Sequence, residues 1–253
     1  MPFDVIGGGL LGAAFASLAD PGLDAIICAA GVADSQCTDA SEFRRERELL
    51  QDLTGRARAR DAILVYFSAA PVYGSAGGLR VESDVATPDT PYGQHKLECE
   101  RLVAESEARH LLLRLPNAVG PGGYRQQLIP SLVDQVLNGS VLEMTGATRD
   151  LIDVDDLVAI VTALLRRGVA DDVLNVASGV STPVPRLVEW IAAALRVSPS
   201  VVNIDGGDRQ EFSTAKVRAL LPAYPRFEPD YPEHVLRRRV PEIARAFGTR
   251  GQP

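Results

Sequence analysis

The chain has 253 residues, of which 46% are hydrophobic, and it carries a formal net charge of −7 at pH 7. This length suits one large α/β unit with a small second part, and the apolar content suffices to build a sizeable core. The acidic balance argues against a general nucleic-acid binder, because contacts to phosphate need a basic surface.

The chain opens with a strand pattern at 3–6, then Gly7, Gly9 and Gly12 in G-x-G-x-x-G spacing, then a predicted helix to about Ala19. Glycines allow a tight turn and a close approach of the backbone to a pyrophosphate. The helix N-terminus adds free N–H groups and a partial positive charge. The motif predicts a phosphate-binding turn, and a tight strand–helix turn without a ligand remains the alternative.

Two apolar runs, at 23–31 and 62–67, predict strands buried on both faces, as parallel sheets require. The loops that follow them would lie at the carboxyl edge of the sheet, where ligands bind in such folds. Between the runs, the segment 39–59 is rich in Glu and Arg and predicts a helix with one exposed face. Its inward side chains are predicted to be Phe43, Leu49, Leu50 and Leu53.

Tyr92 and Lys96 stand four residues apart in a predicted helix that runs from Tyr92 to about Arg109, so they share one helix face. A phenol has an unperturbed pKa near ~10, and a neighbouring ammonium favours its ionised form and lowers that pKa. Such a pair can pass a proton to or from a sugar or alcohol oxygen. The pattern is common by itself, so the neighbouring motifs decide its weight.

The rest of the chain continues the alternation of strands and helices. We predict strands at 111–115, 173–177 and 201–204, and helices at 129–138, 156–167, 184–195 and 235–247. A core is predicted to comprise residues 1–120 and 150–177, and a substrate-binding cap to comprise 121–149 and 178–253. The longest apolar run, near 157–165, is far too short to span a bilayer, so we expect no membrane segment.

Cys28, Cys37 and Cys99 make an odd count without metal-binding spacing, which favours thiols kept reduced in a cytoplasm and predicts no metal site. Cys99 is interpreted as a packing residue of the Tyr92 helix. The histidines are scattered, and we interpret each as a surface or packing residue: His95, His110 and His234.

In combination, the motifs resemble the extended short-chain dehydrogenase/reductase family, the NAD-dependent epimerases, dehydratases and reductases of nucleotide sugars. The matching segments appear in family order over almost the whole chain. They are the glycine turn, 24–30, 67–68 with 72–74, 91–96, 114–121, 149–156, 174–176 and 213–216. The resemblance implies an α/β fold with a Rossmann-like, doubly wound parallel sheet and a small C-terminal substrate cap.

The resemblance also implies roles for individual residues. Tyr92 would be the acid/base, Lys96 would hold the nicotinamide ribose and tune the phenol, and Ser68 is a further candidate catalytic hydroxyl. The implied cofactor, NAD or NADP, would be held by Gly7, Gly9, Leu10, Leu11, Gly12, Ala29, Ala30, Lys96 and Pro116. The implied nucleotide-sugar substrate would be bound by Ala69, Tyr73, Asn117, Arg149 and Arg209. A homodimer through the Tyr92 helix and its neighbour would also resemble the family.

Three of these assignments rest on weaker grounds. Asn117 matches a family asparagine that contacts the substrate phosphates, and a loop-capping asparagine is the alternative. Arg149 matches an arginine that pairs with the diphosphate, which suits a guanidinium fork, and a surface ion pair with Asp153 or Asp155 is the alternative. Arg209 would supply a second cation, but its spacing to the later motif does not match the family.

The first departure from the family is at Ala69. The family usually places Ser or Thr four residues before the Tyr of its Val-Tyr-Gly motif, and that hydroxyl bonds the reacting sugar oxygen. Ser68 is one residue earlier and would point to the opposite face of an ideal strand. Losing such a hydrogen bond costs about 10²–10³ in rate by analogy with oxyanion-hole deletions, unless Ser68 or a water replaces it.

The second departure is a deletion. Between the glycine turn and Asp24 there is room for one short helix only, so the family's second and third strands are predicted to be missing. The second strand normally ends in the residue that grips the adenosine ribose and selects NAD or NADP. A direct step to the next strand is also expected to follow the right-handed crossover rule, which would place the first helix on an unusual face.

Three functions remain open from the sequence. The first is an NAD(P)H-dependent reductase of a 4-keto-6-deoxy sugar nucleotide, because a trimmed adenosine site suits a cofactor that enters and leaves in each turnover. The second is a nucleotide-sugar epimerase or dehydratase that retains tightly bound NAD. The third is a degenerate, non-redox binding or partner protein, which Ala69 and the missing strands motivate.

Overall fold

The computed structural model describes residues 3–18 and 22–248. Its helices are α1 Leu10–Ala16, α2 Ala40–Arg60, α3 Pro91–Ala104, α4 Leu128–Leu137, α5 Val154–Arg166, α6 Val184–Leu195, α7 Ala215–Leu220 and α8 Tyr231–Gly248, with a 3₁₀ helix at Ala70–Tyr73. Its strands are β1 Asp4–Ile6, β2 Ala25–Cys28, β3 Ile63–Ala69, β4 Leu79–Arg80, β5 His110–Leu115, β6 Asn117–Val119, β7 Ser140–Met144, β8 Thr148–Asp153, β9 Asp172–Asn175, β10 Ser181–Pro183, β11 Ser200–Ile204 and β12 Glu211–Phe212. None of the helices in these ranges combines the length and the apolar character that crossing a membrane requires.

The central layer is a five-stranded sheet in the order β1-β2-β3-β5-β9, with every neighbouring pair parallel. Helices cover both of its faces, which is why its strands are apolar on both sides. On one face Phe15 of α1 and Leu157 of α5 pack in a common core. On the other face Leu50 of α2 packs with Val103 of α3. The predicted α/β fold with a parallel sheet is confirmed.

Strand β1 is the edge of this sheet and pairs directly with β2, with Asp4 opposite Ile26 and Ile6 opposite Cys28. Within residues 3–18 and 22–248, no strand pairs with the outer edge of β1. The sheet is therefore reduced, as the short spacing before Asp24 predicts.

The first two crossovers of the sheet have opposite hands. The steps from β1 to β2 and from β2 to β3 run in the same direction across the sheet. However, α1 packs on the same face as α5, whereas α2 packs on the opposite face. One of the two crossovers is therefore left-handed, and the right-handed rule expected for the step from β1 to β2 stays a prediction. The glycine turn nevertheless stays at the carboxyl end of β1.

Close packing of the glycine turn explains the spacing of its glycines. Gly7 has a φ of +121°, a conformation that side chains rarely adopt. A methyl group on Gly12 would overlap the Gly7 carbonyl oxygen, so α1 begins directly against the turn. Helix α1 ends at Ala16, and the predicted end at Ala19 lies outside the described residues.

We expect Gly12→Ala to lower the free energy of unfolding by about 1–3 kcal/mol, because the added methyl group forces α1 away from the turn. Gly55→Ala in α2 is the matched control, since its added methyl group meets nothing within 4 Å. A helical glycine costs roughly 0.5–1 kcal/mol relative to alanine, so the control should be neutral or stabilising. Urea denaturation of both variants measures the difference, and equal stabilities would contradict the close contact.

A second core lies outside the sheet and is built by α4, α6 and α8 with β7 and β8. Val133, Leu187 and Leu236 are fully buried within it. We call this part the cap. Strands β7 and β8 are not predicted from the sequence, and β7 pairs in parallel with β11. The division of the chain at residues 120, 149 and 177 stays a prediction.

Several helix ends differ from the predicted ones for local reasons. Helix α3 ends at Ala104 because the Ser106 hydroxyl donates to the Val103 carbonyl at 2.6 Å and Glu107 has a φ of +59°. Helix α5 begins at Val154 because the Asp153 carboxylate caps it, accepting the Asp155 N–H at 2.9 Å. The sequence pattern predicts a later start, at Asp156.

Two of the cysteines are core residues. Burial raises the pKa of the Cys28 thiol to about 11 and that of the Cys99 thiol to about 12, so both stay protonated near neutral pH. Cys37 is half-buried. The interpretation of Cys99 as a packing residue agrees with its position against Tyr66 and Val103. The cytoplasmic location stays a prediction.

Candidate active site

A cleft of about 1350 Å³ opens at the carboxyl edge of the sheet. The ends of β1, β2, β3 and β5 line it, and its wall continues into the cap. Ligand pockets for drug-sized molecules measure about 300–1,000 Å³, so this cleft has room for a dinucleotide and a second ligand. Its position is the usual binding position in open α/β sheets.

Tyr92 and Lys96 line this cleft from the first turns of α3. Thr90 caps the helix by accepting the Gly93 N–H at 3.0 Å, and Pro91 occupies the first helical position. The Lys96 Nζ lies 5.6 Å from the centroid of the Tyr92 ring. The predicted common face of the pair is therefore present, and both side chains are buried.

A buried carboxylate, Glu46 of α2, contacts Lys96. Its Oε1 accepts the Lys96 ammonium at 2.8 Å and the Tyr66 hydroxyl at 2.8 Å. Its Oε2 accepts the Val32 N–H at 2.7 Å and lies 2.9 Å from Nε2 of His95. The Glu- and Arg-rich pattern of residues 39–59 predicts a helix with one exposed face and does not single out Glu46.

The surroundings of Glu46 are packed rather than open. The His95 ring stacks on Phe43 at 4.3 Å between centroids, so His95 is a packing residue of α3. Ligand atoms of Glu46, His95 and Cys99 lie within 4.8 Å of one another. Because the Glu46 carboxylate already has four hydrogen-bond partners, including an ammonium, we interpret this group as a hydrogen-bonded cluster.

The structure corrects the expected ionisation of Tyr92. Burial raises the pKa of Tyr92 above its ordinary value, and the Lys96 charge opposes this only in part, with Glu46 acting against Lys96. Burial also favours a neutral Glu46, but Lys96 and the hydrogen bonds outweigh it, and the pKa of Glu46 lies well below its usual range. The phenol is therefore held in its protonated form, whereas the Tyr–Lys spacing by itself predicts a lowered pKa for Tyr92.

Ser68 and Ala69 form the end of β3 in the cleft wall. Ala69 packs in the apolar cluster around Tyr92, so no hydroxyl stands at the position where the family has one. Ser68 follows Leu64 and Tyr66 on the face of the sheet that packs on α2 and α3. Among the described residues, the buried Ser68 Oγ has no hydrogen-bond partner. An unpaired buried hydroxyl is costly, which makes it available to a ligand or a water.

The predicted phosphate-binding residues lie together on the cap side of the cleft. The Asn117 amide donates to the Asp150 carbonyl at 3.0 Å and to the Gln210 amide oxygen at 3.2 Å. Arg149 donates to the Asp208 carboxylate at 2.8 Å, so its partner is neither Asp153 nor Asp155. Arg209 is exposed at the cleft.

Tyr73 lines the cleft, but its hydroxyl is bound inside the protein. The hydroxyl donates to Oδ1 of Asn175 at 2.7 Å. The guanidinium of Arg114 lies 4.7 Å over the ring and is bound in turn by Glu100 through two hydrogen bonds of 3.0 and 2.7 Å. Tyr73 therefore forms part of the cleft wall, and its hydroxyl is already hydrogen-bonded to Asn175.

The predicted cofactor-binding residues line the cleft with one exception. The residues that do so are Gly7, Gly9, Leu10, Leu11, Ala29, Ala30, Lys96 and Pro116. Gly12 does not, since it packs against Gly7. The backbone of the turn, the N-terminus of α1 and the unpaired Ser68 hydroxyl fit the polar demands of a dinucleotide.

Tyr124 is a cleft residue that the sequence did not reveal. A methyl group on Gly9 would lie 3.5 Å from the Tyr124 ring, so this exposed side chain stands beside the glycine turn. It follows Gly122, which has a φ of +86°. The family-like segment 114–121 ends before Gly122 and Gly123, and the path of these residues over the turn depends on tertiary structure.

A parallel sheet with a glycine turn on its first strand and a Tyr–Lys pair at its carboxyl edge defines a Rossmann-like dinucleotide-binding fold. A family model described as "NAD dependent epimerase/dehydratase family" matches residues 11–177. Because this match covers more than half of the sequence, the chain belongs to the NAD-dependent epimerase/dehydratase family.

Curated relatives resemble between about half and two thirds of the chain. A GDP-6-deoxy-D-mannose reductase of Pseudomonas aeruginosa is 30% identical over 170 residues, which are 61% of this chain and 55% of that protein. A dTDP-4-dehydro-6-deoxyglucose reductase of Escherichia coli is 28% identical over 141 residues, 52% of this chain and 45% of that protein. The chain spans about half the length of the curated relatives it matches.

Solved structures resemble a larger part of the fold. RMD from Pseudomonas aeruginosa, complexed with NADPH, has a TM-score of 0.71 at 25% identity and covers 89% of this chain and 83% of that one. UDP-glucuronic acid 4-epimerase from Bacillus cereus, in complex with UDP-glucuronic acid and NAD, has a TM-score of 0.76 at 17% identity and covers 88% and 76%. The second likeness concerns the fold alone.

Proposed function

We propose that this chain is an NAD(P)H-dependent reductase of a keto sugar carried on a nucleoside diphosphate, of the 4-keto-6-deoxy type. The observation that carries the proposal is the Tyr92–Lys96 pair in the cleft above the sheet, with the phenol held in its protonated form. A phenol that keeps its proton is suited to donate it to a developing alkoxide.

The relatives support the choice of a reductase. Two of them are named as reductases of 6-deoxy sugar nucleotides, and a solved neighbour was complexed with NADPH. Dehydratases and epimerases also occur among the relatives, so the family alone does not select the reaction. The protonation state of Tyr92 favours the reductive direction.

The chain's own residues would act as follows. The reduced nicotinamide, when bound, supplies a hydride to the carbonyl carbon. Tyr92 donates its proton to the carbonyl oxygen, which becomes the new hydroxyl, and solvent later restores the proton to Tyr92. An ammonium has three N–H donors, and the bond to Glu46 uses one of them, so Lys96 retains donors for a ribose hydroxyl.

The open edge of the sheet supports a cofactor that exchanges in each turnover. In the part of the chain that the structure describes, β1 is the outermost strand of the sheet, so the adenosine half of a dinucleotide would meet the glycine turn and Tyr124 rather than a further strand. Epimerases and dehydratases recycle their hydride and need to retain NAD, whereas a reductase releases the oxidised cofactor. The choice between NADH and NADPH is left to measurement.

The cap side of the cleft suits the diphosphate. Arg209 is exposed there, and Arg149 and Asn117 stand beside it on β8 and β6. A guanidinium fork binds phosphate oxygens through paired hydrogen bonds. Arg149 would have to exchange its Asp208 contact for the phosphate or share it between the two. The homodimer through the Tyr92 helix and its neighbour stays a prediction.

Titration with NADH and NADPH, followed by nicotinamide fluorescence, tests the proposal directly. We expect binding of at least one of them and oxidation of the cofactor when a 4-keto-6-deoxy sugar nucleotide is added. Protein isolated with tightly bound NAD would favour the epimerase or dehydratase. If the protein binds neither cofactor, with or without keto sugars, the result would favour the third function, a non-redox binding protein.

The pH dependence of reduction should follow the state of Tyr92. Burial holds its pKa above the ordinary value, so kcat/KM for reduction should stay level through neutral pH and fall only under alkaline conditions, above the unperturbed value of about 10. Stopped-flow measurement of cofactor oxidation across this range checks the expectation. If kcat/KM begins to fall near neutral pH, Tyr92 loses its proton there, and this result would contradict its role as the proton donor.

A further inference from the structure

Glu46 and Lys96 form a buried ion pair inside the protein. Their side chains are 0% and 4% exposed, and their charged atoms lie 2.8 Å apart. An unpaired charge at such depth costs several kcal/mol, so each group holds the other in its charged form. The net charge of the pair is close to zero, which limits how far the ammonium can act on Tyr92.

The backbone that follows β2 closes over this pair. A methyl group on Gly31 would overlap Oε1 of Glu46 and lie 2.9 Å from Nζ of Lys96. The next residue, Val32, donates its N–H to Oε2 of Glu46 at 2.7 Å. With Tyr66 donating from β3 as well, the carboxylate is fixed from three elements and cannot turn toward solvent.

We propose that Glu46 is the buried counter-ion that keeps both Lys96 and Tyr92 protonated. By doing so it keeps Tyr92 ready to donate its proton. A negative charge stabilises the protonated form of each neighbouring group. Removing that charge therefore lowers the pKa of each of these groups. The titratable groups that face the Lys96–Tyr92 pair are Glu46 on α2, His95 and Cys99 on α3, Tyr66 on β3, Cys28 on β2, and Asp34 and Cys37 in the following loop.

The functional meaning of Glu46 rests on the proposed function. Reduction of a ketone requires a protonated phenol at the moment of hydride transfer. A reaction that starts by removing a proton from a sugar hydroxyl requires the ionised phenol instead. Glu46 therefore acts as a positioning residue that favours the reductase over an epimerase or dehydratase, and it acts through Lys96 without touching the substrate.

The ionisation of Lys96 can be followed without any enzymatic activity. Lys96 and Lys216 are the lysines of this chain, so lysine labelled with ¹³C at the ε carbon gives one signal for each. Lys216→Arg assigns the signals, and Lys216, which pairs with Asp172 and is partly exposed, serves as the internal reference. The titration runs between about pH 6 and 11, around the free lysine pKa of about 10.4.

In the unaltered protein, Lys96 should keep its proton beyond the pH at which a free lysine titrates. In Glu46→Gln, which keeps the size of the side chain, Lys96 should lose its proton at a pH lower by about two units or more. Glu48→Gln, on the exposed face of the same helix, is the matched control and should leave the Lys96 signal unmoved.

Two results would overturn the inference. One is a pKa of Lys96 in the unaltered protein that is equal to or lower than the pKa of free lysine. This result needs no variant, so it decides the question even when circular dichroism shows that Glu46→Gln does not fold. The other is a folded Glu46→Gln with an unchanged Lys96 titration.

A kinetic measurement separates this inference from the proposed function. If the chain is a reductase, the alkaline fall of kcat/KM should move to lower pH by about one unit or more in Glu46→Gln and should not move in Glu48→Gln. If kcat/KM falls at the same pH in Glu46→Gln as in the unaltered protein, Glu46 does not control the protonation of Tyr92. If Lys96 titrates as expected but no keto sugar is reduced, the proposed function is wrong. The role of Glu46 as the counter-ion of Lys96 is then still supported.

Discussion

Tyr92→Phe is expected to lower the rate of keto-sugar reduction by about 10²–10⁴-fold, because the variant retains the ring but has no proton to donate. The ring of Tyr92 packs with Val32 and Phe43, and phenylalanine preserves those contacts. Cofactor binding should therefore remain within a few-fold of the unaltered protein. Single-turnover oxidation of the nicotinamide measures the hydride-transfer step apart from product release.

Tyr73→Phe is the matched control for that experiment. Tyr73 lines the same cleft, but its hydroxyl donates to Asn175 rather than toward the cleft. Its loss should cost about 1 kcal/mol of stability and leave the rate of hydride transfer largely intact. Equal losses of rate in the two variants would contradict the assignment of Tyr92 as the proton donor.

Glu100→Ala is expected to lower the free energy of unfolding by about 3–5 kcal/mol, because it leaves the Arg114 guanidinium buried without its counter-ion. The two side chains are 5% and 7% exposed and are joined by two hydrogen bonds of 2.7 and 3.0 Å. The pair also fixes the guanidinium against Tyr73, so its loss should loosen the cleft wall. Urea denaturation followed by circular dichroism measures the change.

Glu42→Ala provides the control for this prediction. Glu42 pairs with Arg45 on the surface of α2, where both side chains are well exposed. Exposed pairs of this kind contribute about 0–1 kcal/mol, so the variant should be almost as stable as the unaltered protein. A Glu100→Ala variant that loses no more stability than Glu42→Ala would show that the buried pair does not support the fold.

Much of the sheet follows from hydrophobic pattern alone. The runs that form β2, β3 and β5 are short and apolar on both faces, and the glycine turn marks the end of β1. Helix α6 was predicted with its observed bounds, Val184–Leu195, because it has a clear apolar stripe. The unpredicted strands β7 and β8, with sequences SVLEM and TRDLID, show no regular alternation of polar and apolar residues, and their pairing depends on distant segments.

The burial of Glu46 has a signal in the sequence. Phe43, Leu50 and Leu53 form the buried stripe of α2, and position 46 falls on that stripe at helical spacing. A charged residue on an apolar stripe predicts a buried partner. The identity of the partner could not be predicted, because Lys96 is 50 residues away and meets Glu46 only when α2 and α3 pack side by side.

The roles of the cap residues depend even more on tertiary structure. The sequence offered Asp153 or Asp155 as partners of Arg149, whereas the fold brings Asp208 to it from 59 residues away. Asp153 instead binds Arg239 of α8, with its Oδ1 2.6 Å from the guanidinium. Ion pairs between acidic and basic residues on different elements are set by packing, which no local pattern records.

Transfer of deuterium is the most direct test of the central claim, that Tyr92 and Lys96 face a bound nicotinamide beside a sugar carbonyl. Cofactor deuterated at the transferable position of the nicotinamide would be mixed with a 4-keto-6-deoxy sugar nucleotide, and the product would be analysed by mass spectrometry. We expect one deuterium in the sugar product with the unaltered protein and almost none, in the same time, with Tyr92→Phe. A protein that binds the cofactor but transfers no deuterium to any keto sugar would contradict the account.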